Sequence, residues 1–175
     1  MNQTNQLSIR RAELADAEPL VELASRIYYE TFAAVNTPEN MQAYVSSAFT
    51  VKQLRAELNE PEATFYIVEV DGTFAAYAKL LIGQPPKCVT GPSPIELVRF
   101  YVDRRWQGTG VAGRFLERCI FDAKRQGCKT MYLGVWEHND RAIAFYRKWG
   151  FARVGEHIFQ MGDDPQTDWW MMRPL

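Results

Sequence analysis

A mixed α/β sheet is the fold class that this 175-residue sequence predicts, and three observations predict it. Short apolar runs of strand length alternate with longer segments of helical periodicity. An Asp71-Gly72 pair separates two strand-like runs, as a tight hairpin turn does. A glycine-studded loop, Gly108-Thr-Gly110-Val-Ala-Gly113, leads from a β-rich run straight into a helical pattern. The length and the 47% hydrophobic content fit one domain, residues 1–175, with a full core and no linker or low-complexity break.

Taken in order, Leu7, Ile9 and Arg11 alternate with polar neighbours as a first strand. Asp16 and Pro19 then introduce Leu20, Leu23, Ile27 and Tyr28 at helical spacing. Thr37-Pro38 opens another helix, with Thr37 as cap and Pro38 at the first helical position. A short helix covers Val51 to Leu58. Thr64 to Val70 and Thr73 to Ile82 flank the Asp-Gly turn. Pro85-Pro86 and Pro92-Ser-Pro94 bound an irregular connection, after which Ile95 to Val102 feed the glycine loop. The helix Val111 to Gln126 ends at Gly127 as cap. Thr130 to Val135 reads as a buried strand, Asp140 to Trp149 as a helix closed by Gly150, and Arg153 to Phe159 and Trp169 to Arg173 as final strands.

Charge and cysteine usage narrow the partners. A formal net charge of −1 leaves no basic footprint for nucleic acid. Cys88, Cys119 and Cys128 are odd in number and lack zinc spacing, so no metal site and no disulfide framework is expected. No apolar run approaches the roughly 20 residues a membrane span needs. The polar start Met1-Asn-Gln-Thr-Asn-Gln argues against export, which points to the cytoplasm.

The glycine loop carries the chemistry. With no side chains at Gly108 and Gly110 an anion approaches the backbone, and the first N–H groups of the following helix have no intrahelical partners. Those donors and the helix dipole favour a diphosphate. Read literally, Gly108-x-Gly110-x-x-Gly113 satisfies the dinucleotide fingerprint, with Glu137 near the ribose-binding position. However, Asp103 to Gln107 separate the strand from the first glycine, and residues 138 to 175 are too few to complete a doubly wound sheet. A P-loop fails too, because no Gly-Lys-Ser/Thr closes the loop.

Read instead as Gln107-x-x-Gly110-x-Ala112, the loop resembles the acetyl-CoA pyrophosphate loop of the GNAT superfamily of N-acetyltransferases. A second element, Asn139-Asp-Arg-Ala142-Ile-Ala-Phe145-Tyr146-Arg-Lys-Trp-Gly150-Phe151, resembles that superfamily's Asn-initiated helix ending in Gly-Phe. The resemblance covers essentially the whole chain. It implies a mostly antiparallel sheet of about seven strands in which two neighbours splay apart to bind acetyl-CoA. Backbone groups near Tyr101 and Val102 would meet the pantetheine arm, and amides of Gln107, Gly108, Thr109, Gly110, Val111, Ala112 and Gly113 the pyrophosphate. Asn139 would cap its helix and bond the cofactor; Arg147, with Arg104 and Arg105, lies near the other phosphates. A homodimer is compatible with the resemblance.

Acetyl transfer to an amine raises two proton problems. An alkylammonium of pKa near 10.4 is neutral in only about one part in a few thousand at pH 7, and the departing thiolate needs a proton. The resemblance places Tyr146 as general acid and Glu96 as base, with Glu137 in reserve; His138 and His157 read as surface or turn residues. Cys119 reads as a core residue, and direct attack in a ternary complex needs no acyl-enzyme.

Runs such as Glu30-Thr-Phe32, Leu133-Gly-Val-Trp-Glu137 and Gly155-Glu-His-Ile-Phe-Gln-Met-Gly resemble the bacterial spermidine/spermine N-acetyltransferases of the protease-production-regulator type, which implies a polyamine acceptor. Ammonium groups are held by carboxylates and aromatic faces. Tyr28, Glu30 and Glu39 are the first candidates, and Asp163, Asp164 and Asp168 come after them. Two rival readings stay open: an acetyltransferase for protein or peptide amines, and a domain that binds acetyl-CoA without turnover.

Overall fold

The computed structural model describes residues 6–175; residues 1–5 of the polar N-terminal stretch lie outside the described residues. The elements are β1 (Leu7–Arg11), α1 (Ala17–Phe32), α2 (Pro38–Ala48), α3 (Val51–Leu58), β2 (Ala63–Val70), β3 (Thr73–Leu81), β4 (Pro94–Val102), α4 (Val111–Arg125), β5 (Thr130–Trp136), α5 (Asp140–Lys148), β6 (Ala152–Met161) and β7 (Asp164–Pro174). The strands form one seven-stranded sheet in the order β1-β2-β3-β4-β5-β7-β6. Every neighbouring pair is antiparallel except β4 and β5.

Local chemistry accounts for the element ends. Thr37 and Thr50 each accept a backbone N–H at the start of α2 and α3, and Asn139 does the same for Ala142 in α5. Asp71 and Gly72 both take positive φ, as the two-residue β2–β3 hairpin requires. The final strands run longer than the sequence suggested. Met161 pairs with Asp164 across a tight turn, so the acidic stretch around Asp163 closes a hairpin and Asp168 lies within β7. Asp, Gly and Pro there read as a loop by composition, while pairing with β6 makes strand of Asp164 and Pro165 on the far side of the turn.

Alternation along the strands sorts two cores onto the two sheet faces. Tyr66, Val68, Ile95, Leu97 and Leu133 pack with Phe115, Leu116, Cys119, Ile143 and Tyr146 of α4 and α5. Phe65, Ile67 and Tyr77 pack with Leu20, Ile27, Met41 and Leu54 of α1 to α3. In α1 the buried residues Leu20, Leu23, Ala24, Ile27 and Tyr28 fall on one helical stripe.

Two irregularities make room for a site. The β3–β4 register jumps from Lys79↔Arg99 to Leu80↔Leu97, leaving Val98 as the extra residue of a bulge. The parallel β4–β5 pairing lasts only through Pro94↔Thr130, Ile95↔Met131 and Glu96↔Tyr132. Beyond Glu96 both strands continue without pairing, so the sheet opens into a notch joining its two faces.

Candidate active site

The notch is the mouth of a cleft of about 730 Å³, lined by β4 from Glu96 to Val102, by Gly134 to Trp136 of β5, and by α1, α5 and the loop before α4. The volume suits a small-molecule site. Along its β4 wall, backbone groups that face the notch have lost their β5 partners and are free to pair with an extended ligand arm.

At one end stands the glycine loop. Asp103 shapes its entry: its carboxylate, 1% exposed, accepts the Arg105 backbone and side chain and pairs with Arg26 at 2.7 Å. Arg105, then Arg26, hold this carboxyl well below its ordinary pKa against the cost of burial. Gly108 and Gly110 take φ of +79° and +90°, and a Cβ built on either would meet nothing within 4 Å. The space above them is open, and Gly110 caps α4 with no side chain on the exposed helix N–H groups. Gln107 is held by donating to the Val102 carbonyl at 2.8 Å while its own amide oxygen accepts Arg141. Donor N–H groups, a positive helix end, and Arg104 and Arg141 on the rim fit a diphosphate.

Several sequence-nominated residues fall elsewhere. Thr109 spends its hydroxyl on the Trp106 carbonyl at 2.7 Å, Val111 is buried in the core, and Gly113 backs onto Trp149, so these positions offer only main-chain groups. Arg147 projects from α5 over Trp169, away from the cleft, and Arg105 is held by Asp103. Glu39 is exposed on the first turn of α2 outside the cleft, where the helix dipole favours a carboxylate. Asp163 binds Asn40 and Asp164 binds Gln166 in the hairpin. Arg141, two residues into the motif helix, is the cation that sequence reading passed over.

The two sheet faces contribute different chemistry. From the α4/α5 face, Tyr146 lines the cleft, buried against Phe100, Phe145 and Phe151. Burial raises its pKa, so the phenol stays protonated at neutral pH. Asn139 and Ala142 line the cleft beside it.

From the other face come Glu96, Gly134, Trp136 and Asp168. Burial raises the Glu96 pKa although the Tyr132 hydroxyl donates to it at 3.3 Å. Burial, then the nearby Glu137 charge, raises Asp168 to about 6. Around them stand aromatic rings: Tyr28 stacked on Tyr44 at 4.6 Å, Phe32 edge-on to Trp136, and Phe159 against Tyr44. Tyr28 is buried, its hydroxyl donating to the Met161 sulfur, while Glu30 sits at the cleft edge 3.6 Å from Arg26. His157 corrects its reading as a surface or turn residue: it lies in β6, lines the cleft and stacks on Trp170 at 4.1 Å. Burial lowers its pKa. Glu137 lies outside the cleft lining and His138 is exposed. Cys119 is fully buried in the α4 core.

Among the described residues there is no cluster of three or more metal-ligating side chains and no helix long and apolar enough to cross a membrane.

The family model described as the acetyltransferase (GNAT) family matches residues 19–151. A protein of Lactobacillus delbrueckii subsp. lactis, called an uncharacterized N-acetyltransferase in the pepI 3' region, is 30% identical over 91% of this chain and 92% of its own. The spermine/spermidine N(1)-acetyltransferase of Bacillus subtilis is 39% identical over 66 residues, 37% of this chain and 43% of that one. Among solved structures, a PaiA N-acetyltransferase from Thermoplasma acidophilum, crystallised with coenzyme A, superposes with a TM-score of 0.77 at 19% identity over 97% of this chain and 99% of that one.

Proposed function

From the premise that this chain belongs to the acetyltransferase (GNAT) family and is an acetyl-CoA-dependent N-acetyltransferase, we propose that its acceptor is a polyamine of the spermidine and spermine class. The observation that carries the reading is the acceptor side of the cleft, which the aromatic rings of Tyr28, Phe32, Tyr44 and Trp136 line together with the carboxylates of Glu30, Glu96 and Asp168. Such a lining suits alkylammonium groups, which gain from both negative charge and π faces. The guanidinium on this side, Arg99, is neutralised by a two-pronged bond to Glu57 at 2.9 and 3.1 Å. The segment shared with the B. subtilis polyamine enzyme supports the same acceptor.

Acetyl-CoA supplies the activated acetyl thioester. Amides from Gln107 to Gly113 hold the diphosphate, with Arg104 and Arg141 alongside, and the free β4 edge near Tyr101 and Val102 aligns the pantetheine arm. On the acceptor face Glu96 takes one proton from the ammonium, directly or through water, and passes it to solvent. The neutral amine attacks, forming the C–N bond as the C–S bond breaks. Tyr146, reaching the notch from the opposite face, gives the departing sulfur its proton. The proton that nitrogen sheds on acylation returns the phenol to its neutral state through solvent. Acid and base therefore approach one opening from two sides of the sheet, and neither competes for the other's proton.

A thiol-release assay with acetyl-CoA over spermidine, spermine, amino acids, aminoglycosides and peptides tests the acceptor. The highest kcat/KM falls on the polyamines; acetylation of peptides with none of spermidine overturns the reading.

A further inference from the structure

We infer that Asp168 determines acceptor specificity by holding the second ammonium of a polyamine whose reacting amine lies at Glu96. The inference rests on the polyamine reading and adds to it a division of labour between the two carboxylates.

The sheet register supplies the geometry. Glu96 sits opposite Tyr132 and Asp168 opposite Trp136, on the same face and four residues apart along β5. At roughly 3.3 Å per strand residue and about 4.8 Å between strands, with β5 lying between β4 and β7, their backbones are offset by about 13 Å along the strands and about 10 Å across them, about 16 Å in all. A monoamine does not bridge that span; an extended polyamine does.

The surroundings of Asp168 assign it a cation that the protein does not provide. Glu30 faces Arg26, and Glu96 accepts the Tyr132 hydroxyl. Asp168 is the cleft-lining carboxylate with no hydrogen bond or ion pair from any described residue. The charged and titratable groups near it are Glu137, the hydroxyls of Tyr28 and Tyr44, and His157. None is a cation, since burial favours the neutral imidazole and Arg99 is occupied by Glu57. A half-buried carboxylate without a partner is costly unless something pairs with it. Its raised pKa agrees with that cost. The space in front of it is kept open by Gly134: a Cβ there would lie 3.3 Å from His157, 3.4 Å from Trp170 and 3.8 Å from the Asp168 carboxylate.

Steady-state kinetics with spermidine and with propylamine, on the parent enzyme, Asp168→Asn and Asp168→Glu, test the assignment. In Asp168→Asn the spermidine KM rises about tenfold or more while its kcat changes little, so the spermidine-to-propylamine ratio of kcat/KM collapses. Asp168→Glu restores most of that ratio. An unchanged ratio in Asp168→Asn, or equal losses on both amines, overturns the role of Asp168. The parent enzyme's own ratio tests the acceptor reading independently: no preference for spermidine there sinks the polyamine assignment, whatever the variants do. An acetyl-CoA-induced thermal shift equal to the parent's establishes that the variants fold.

Discussion

Replacing Glu57 by Gln removes the carboxylate that serves both the buried Lys79 and the partly exposed Arg99 of the cleft wall. Glu57 of α3 accepts Arg99 at 2.9 and 3.1 Å and Lys79 at 3.0 Å, and both Glu57 and Lys79 are more than nine-tenths buried. Breaking a buried pair costs about 3–5 kcal/mol, because it leaves charge in a medium that solvates it poorly. Lys79 retains the more exposed Glu60 at 3.3 Å, which places the loss near the lower end, about 3–4 kcal/mol. For a domain of this size that lowers Tm by roughly 6–15 °C. Urea unfolding measures it as a fall in midpoint with unchanged slope. The double variant Glu57→Gln with Lys79→Met recovers part of the loss, since the unpaired ammonium is gone and an unbranched apolar side chain fills its path. The pH dependence has a definite sign. Burial opposes ionisation of Glu57, but Arg99 and Lys79 outweigh it and lower the folded pKa. The deficit is therefore full above the unfolded carboxylate pKa of about 4.3 and shrinks as acid protonates the parent's Glu57. A Glu57→Gln loss below about 1 kcal/mol at pH 7, or no recovery in the double variant, refutes this account of the network.

The site itself gives three further outcomes. Tyr146→Phe binds acetyl-CoA as the parent does but turns over about 10²–10⁴ times more slowly, read by thiol release beside calorimetry; undiminished turnover removes the acid role. Gly110→Val forces a β-branched residue to φ +90° at the mouth of the diphosphate site, costing about 1–3 kcal/mol and weakening acetyl-CoA, which differential scanning detects as a lower Tm and a smaller ligand-induced shift. Asp168→Asn stabilises the protein at pH 7–8 by about 2 kcal/mol, the cost of ionising a carboxyl whose pKa is held at about 6, discounted for partial exposure. Since the folded pKa is the raised one, the parent keeps this stability below about pH 4 and loses it as pH rises through about 6, so the two melting curves converge in acid.

Most of the fold was legible because local signals marked the ends of its elements. Thr37-Pro38, Asp71-Gly72, Gly127 and Asn139-to-Gly150 each specify a backbone geometry within a few residues, and the helices and the β2–β3 hairpin stand where those signals put them. The β6–β7 hairpin was underestimated because its turn is written in Gly, Asp and Pro, and only long-range pairing, with β6 up to Thr167 and with both β6 and β5 from Asp168 on, makes strand of the polar residues that lead out of the turn. The bulge at Val98 left no trace in composition, since a single extra residue in an apolar run looks like any other apolar residue.

The same distinction divides the cleft. The diphosphate end is built from main-chain N–H groups, so its requirement falls on backbone conformation, and Gly108 and Gly110 write that requirement into nearby positions of the sequence. The acceptor end is built from side chains of β4, β5, β7 and α1 that converge only because the sheet order brings β7 beside β5 and the splay exposes one face of each. Nothing near Asp168 in sequence separates it from Asp163 or Asp164; strand alternation does, by turning it inward opposite Trp136 while the other two stay on the hairpin tip. A site that needs backbone shape can be read locally, whereas one that needs opposed side chains depends on register. Moving β7 by a single residue against β5 would turn Asp168 to the far face and leave the loop before α4 untouched. If Asp168 selects the acceptor as proposed, such a shift would abolish that selection while acetyl-CoA binding survived, and the two halves of the cleft would be separable by mutation.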